Sequence, residues 1–136
     1  MKIVMIIDAS EEARQQASAV LSQLGHEPEG ASNADEAWTL MSDGMPDVLL
    51  VGDWVGGKLD RKSFVRRVQG IHRARPKLIQ WLEEDSLYDN PPPGEELQVQ
   101  VAGIPANPTE QGFDGILLKP LDAVQVVLKA EKLGLK

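Results

Sequence analysis

Cysteine is absent from the 136-residue chain, so disulfides and thiolate metal sites are excluded. Nothing marks an oxidising compartment, and a cytoplasmic location is the expectation. Long apolar runs are also missing. The opening run, Ile3 to Ile7, is too short for a signal peptide and far too short to span a bilayer, so no membrane partner is expected. Basic residues are in deficit, 14 Lys and Arg against 21 Asp and Glu, and the net charge of −7 argues against direct nucleic-acid binding. Histidine occurs twice, as His26 and His72, without companion ligands, so neither is a metal candidate. No glycine-rich phosphate loop follows the first apolar run, which disfavours an unrelated ligand-binding α/β enzyme.

What is present reads as one globular domain over residues 1–136, with 42% apolar and 26% charged residues. The opening run reads as a buried strand. Ser10 is a natural helix N-cap, with Glu11 and Glu12 in the first turn and Gly25 as the stop. Residues 26–31 read as a short second strand. Pro28 cannot donate to a sheet ladder, which puts that strand at an edge. Asn33 and Glu36 have capping-box spacing, opening a helix with Ala37, Leu40 and Met41 on its inner face. The third strand, Asp47 to Asp53, is nearly continuously apolar, as expected where both faces are covered. Asp60 caps a helix that turns Phe64, Val65, Val68 and Ile71 inward, and Lys77 to Leu82 forms the fourth strand. A fifth strand, Ile116 to Leu118, and a helix over 122–133 close the chain, with Leu121, Val124, Val127 and Leu128 as the expected buried stripe. Such alternation implies α/β architecture, a parallel sheet with right-handed crossovers.

Between Leu82 and Gly115 this alternation fails. Pro91 to Pro93, Pro105 and Pro108 disfavour a regular helix, and six acids fall between Glu83 and Glu96. Leu97 to Val101 alternates with period two and suggests a small extra strand. A long irregular connection of this kind is usually functional or mobile.

Three charged residues stand at strand ends, where an open parallel sheet presents its chemistry: Asp8 after the first run, Asp53 after the third, Lys119 after the fifth. Two acids and a lysine so placed suggest phosphoryl or metal chemistry. Plainer readings exist for each. Asp53 is acceptable as a turn residue, Asp8 as a helix cap, Lys119 as a strand-end lysine. The basic run from Lys58 to Lys77 reads as a solvated face, and Glu83, Glu84 and Asp85 as a solvated loop. Trp38 is a candidate partner anchor, and Trp54 is expected over the mouth of the site.

With these end residues and crossovers, the chain resembles the receiver domains of two-component response regulators, chemotaxis receivers in particular. The resemblance covers nearly the whole chain and is weakest over 83–111. It implies a flavodoxin-like doubly wound five-stranded sheet of order 2-1-3-4-5, with a proline-rich insertion in place of much of the fourth helix. It also implies a signalling domain rather than an enzyme. Asp53 matches the phosphoacceptor, and Trp54 and Asp60 match the positions that follow it. Lys119 and Pro120 match the lysine–proline pair, and Asp8 the first member of the acidic pair.

Three positions depart from the family pattern. Ala9 stands at the second acid, Trp81 at the switch hydroxyl, and Ile116 at the switch aromatic. The resemblance therefore implies Mg²⁺ held weakly by Asp8, Asp53 and the Val55 carbonyl, since the ion takes one or two protein carboxylates and fills the rest with water. It implies a histidine kinase or phosphotransfer protein as donor, a downstream output protein or domain as receiver, and loss of conventional switching. Two readings stay open: a phosphoryl-accepting regulator, stand-alone or the amino-terminal part of a longer one, and a pseudo-receiver that acts as a phosphorylation-independent interaction module.

Overall fold

A computed structural model describes residues 1–72, 74–83 and 112–135. Among the described residues nine elements follow one another: β1 (Ile3–Ile7), α1 (Glu11–Gln23), β2 (Glu27–Ala31), α2 (Ala34–Met41), β3 (Val48–Val51), α3 (Arg61–Gln69), β4 (Lys77–Glu83), β5 (Gly115–Lys119) and α4, the final helix (Ala123–Leu133). The strands form one parallel sheet in the order β2-β1-β3-β4-β5. Pro28 pairs with Val4 on the edge strand, where its missing N–H costs no ladder bond on the outer side. The insertion and the extra strand expected at Leu97 to Val101 lie outside the described residues.

Period-two alternation divides the core between the two faces of the sheet. Met5, Ile7, Leu49, Val51 and Leu78 pack under α2 and α3. Val4, Ile6, Leu50, Ile79, Trp81 and Leu117 pack under α1 and α4. The expected caps Ser10, Asn33 and Asp60 are in place, and Asp122 adds a fourth: each accepts a backbone N–H at the start of α1, α2, α3 and α4. Gly25, at φ 87°, turns the chain after α1.

Two expected helix faces are corrected. In α2 the buried residues are Ala34, Ala37 and Met41, while Leu40 lies outside. In α4 the expected stripe is mostly reversed. Leu121, just before the helix, is buried, but Val124, Val127 and Leu128 are 67%, 60% and 80% exposed. Val126 and Leu133 face the core instead, with Ala130 packed beside them.

The cause lies in β5. Among the described residues it is an edge strand, with backbone groups that no neighbouring strand pairs. Gln125 accepts from the Leu118 N–H at 2.9 Å and donates to the Leu118 carbonyl at 3.4 Å. Lys129 donates to the Ile116 carbonyl at 3.0 Å. Satisfying that edge sets the rotation of α4 and leaves its valines outside. Burial holds the Lys129 ammonium below the usual lysine range.

Candidate functional site

The carboxyl ends of β1, β3 and β5 deliver Asp8, Asp53 and Lys119 to one place. β1 stops at Ile7, and the Asp8 N–H donates to the Ala31 carbonyl at 3.0 Å. The side chain is 4% exposed and fully engaged. One oxygen accepts the Ser10 N–H at 2.9 Å; the other accepts the Asp53 N–H at 3.0 Å and Lys119 Nζ at 2.5 Å. The Asp8 backbone carbonyl takes a further bond from Arg14 at 2.5 Å.

Asp53 sits two residues beyond β3, which ends at Val51 rather than at Asp53. Its carbonyl accepts the Ala9 N–H at 2.8 Å, tying the turns after β1 and β3 together. Between them Gly52 packs so tightly on Asp8 that a Cβ there would overlap the Asp8 carboxylate and lie 2.9 Å from the Ile7 carbonyl. The Asp53 carboxylate, unlike that of Asp8, is 61% exposed. Lys119 Nζ is 3.7 Å from it, so one ammonium spans both acids. All three sequence candidates therefore meet.

A fourth charged group was read in sequence as part of a solvated face. Arg61 forms an ion pair with Asp53 on the side away from Lys119's bond to Asp8. A signal for it existed: Arg61 opens α3, whose first turn has no acid, although a helix N-terminus disfavours a cation. A cation placed against the dipole points to a fixed negative partner. The loop that returns Arg61 to Asp53 is itself anchored. Gly56 and Gly57, at φ 85° and 81°, turn it, and Asp35 accepts the Lys58 and Leu59 N–H groups at 2.7 and 2.9 Å. Those bonds, the one from Lys58 foremost, hold the Asp35 carboxyl below the usual range. The rest of the basic run is also not one face, since Arg67 lies over Trp38 and Arg75 pairs with Asp114 at 3.3 Å.

The three tryptophans sit in different surroundings. The Trp54 indole N–H donates to the Leu59 carbonyl at 3.0 Å and its ring meets Phe64 edge-on. Trp38 packs on the same Phe64 and is half-buried. Trp81 is buried, at 1% exposure, with the Lys119 ammonium 4.8 Å from its ring centre. Among the described residues its indole N–H has no acceptor. Ile116 is buried in β5 opposite Gln80, while its neighbour Leu117 pairs with Trp81 and shares that residue's core cluster.

A cavity of about 440 Å³ opens beside Trp81 and Lys119, lined also by Ser10, Glu12, Gln16 and Glu83. The larger one, about 760 Å³, runs along α3 and meets the acids through Arg61. Size does not mark the chemistry here.

Parallel five-stranded order, paired acids and a lysine at the carboxyl edge can be compared with known structures. The fold is that of a receiver domain. A CheY-like receiver from Methylobacillus flagellatus superposes with a TM-score of 0.70 at 14% identity, covering 98% of this chain and 98% of that one. Vibrio cholerae CheY4 gives 0.66 at 19% identity, again covering 98% of each chain. Brucella abortus NtrX gives 0.68 at 20% identity over 97% of this chain. This chain spans 26% of the length of that NtrX chain. By sequence, no family model and no curated protein matches. No helix among the described residues is long and apolar enough to cross a membrane.

Against this receiver geometry the Mg²⁺ expectation meets an obstacle. Val55 is exposed in the loop after Asp53, and the residue that follows Asp8 is Ala9, which offers no side-chain ligand. Among the described residues no three acidic or histidine groups cluster as a metal site. The two acids that remain suffice in number. Each, however, already carries a cation: Lys119 on Asp8, Arg61 on Asp53. As arranged, the donor set does not fit a divalent ion.

Proposed function

We propose that this chain is a signalling receiver whose Asp53 accepts a phosphoryl group from the phosphohistidine of a histidine kinase or phosphotransfer protein. The N–P bond of the donor breaks as a bond forms between an Asp53 carboxylate oxygen and phosphorus. The observation that carries this reading is the single ammonium of Lys119, 2.5 Å from the shielded Asp8 and 3.7 Å from the accessible Asp53. Phosphoryl transfer asks mainly for positioning and charge neutralisation, and this pair offers both. Asp8 orients the lysine and the Asp53 amide; Lys119 meets the transferred oxygens as a point charge. The signal passes to an output protein or domain through a surface other than a hydroxyl-driven loop, because Trp81 replaces that hydroxyl.

The test is incubation with acetyl phosphate or a phosphorylated kinase domain, read by intact mass. One added phosphoryl group, lost in Asp53→Asn, supports the reading. No uptake from either donor, or uptake that survives Asp53→Asn, overturns it.

A second reading, a phosphorylation-independent interaction module, is favoured by the Arg61–Asp53 pair and the buried Trp81. It expects partner binding to be unchanged in Asp53→Asn.

A further inference from the structure

We propose that Arg61 is a built-in counter-ion that occupies, at the Asp53 carboxylate, the place a divalent cation would take. The inference rests on the receiver reading for its biological consequence, but the competition itself does not require phosphoryl transfer.

Charge comes first. Asp8 and Asp53 bring two negative charges, and Lys119 and Arg61 bring two positive ones within direct contact. A dication entering this set gains no net negative field and meets two cations at close range. Asp8 offers it little, because both carboxylate oxygens already accept hydrogen bonds. Asp53 is the remaining accessible acid, and Arg61 covers one of its oxygens.

The placement of Arg61 is also built. Asp60 caps α3 through the Ser63 N–H at 2.7 Å and fixes the first turn that carries Arg61. Upstream, Asp35 holds the backbone at Lys58 and Leu59, while the Trp54 indole holds the Leu59 carbonyl. A guanidinium so fixed loses less freedom on pairing than one on a mobile loop. Its position at a helix N-terminus, where the dipole opposes a cation, gives it a standing reason to stay on a carboxylate. A planar fork suits phosphoryl oxygens as well as carboxylate oxygens. Arg61 is therefore placed to stay with Asp53 after modification, opposite Lys119.

The experiment is titration of the full chain with Mn²⁺, read by water-proton relaxation, with Mg²⁺ as competitor. Wild type should bind weakly. Arg61→Ala should bind at least about three-fold more tightly, the factor expected when a part-exposed ion pair no longer competes. Arg61→Lys should stay near wild type. Asp53→Asn in the Arg61→Ala background should remove the gain. Circular dichroism of each variant checks that the fold is kept. Equal affinity in wild type and Arg61→Ala, including no binding in either, overturns the proposal, as does a gain that survives Asp53→Asn. Failure of phosphoryl uptake in the mass assay would count against the receiver function and leave this competition standing or falling by its own titration.

Discussion

Lys119 reaches across the carboxyl edge of the sheet to Asp8, 2.5 Å away, from a strand three places removed. Asp8 is buried, and that ammonium is the one cation bonded to its carboxylate among the described residues. Lys119→Ala should therefore cost about 2–4 kcal/mol, the range for stranding one partner of a buried pair that keeps some hydrogen bonds. Urea unfolding measures it. The double variant Asp8→Asn/Lys119→Ala should recover part of the loss; strictly additive costs would show that the two side chains are not coupled.

Trp81 fills core space that no small hydroxyl side chain can fill. Trp81→Thr should lose about 3–5 kcal/mol through the cavity it leaves, and so should not restore a working switch. Trp81→Phe removes an unpartnered donor together with part of the ring, and should cost less than Trp81→Thr. A threonine variant as stable as wild type in urea would mean that the ring is not packed between α1 and α4.

Gly52 is the close-approach position of the site. Gly52→Ala must push Asp8 or the Ile7 carbonyl aside, at a cost of about 1–3 kcal/mol. Thermal unfolding reads the loss. Phosphoryl uptake at Asp53 should fall with it, because the Asp53 amide hangs on Asp8.

Asp60 and Asp122 cap α3 and α4, and the backbone N–H groups of Ser63 and Gln125 hold their carboxyl groups below the 3.8 of a free aspartate. The unfolded chain therefore binds protons first as pH falls. The stabilisation is fully present above that value and is lost as pH drops through the folded values. Asparagine caps as well as aspartate without titrating. Asp60→Asn/Asp122→Asn should show a shallower stability loss between about pH 5 and about pH 3 than wild type. An identical acid limb would exclude these caps as its source.

The outward face of α4 gives a direct check on its rotation. Val127→Lys or Leu128→Lys should change stability by less than about 0.5 kcal/mol, as for other surface positions, whereas Val126→Lys should be severely destabilising. The opposite ranking would restore the stripe that periodicity suggests.

Much of the site was visible without coordinates, because strand ends are legible. An apolar run that stops at a charge marks where a sheet meets solvent, and Asp8, Asp53 and Lys119 all lie at such stops. Arg61 was missed because its partner is contributed by another element: its place at the start of α3 hints at a tether but does not say to which acid.

By itself, the order of residues determined the alternation of strands and helices, the edge position of the proline-bearing β2, three of the four caps and the three charges at the strand ends. These are local matters: backbone propensity, capping and period are set within a few neighbours along the chain. Tertiary structure alone decided which side of α4 is buried, that Trp81 lies beneath Lys119, and that Arg61 neutralises Asp53. A helix with apolar residues on more than one side has no preferred face until the outer edge of β5 claims Gln125 and Lys129. A cation, likewise, has no fixed partner until a glycine turn brings one within reach.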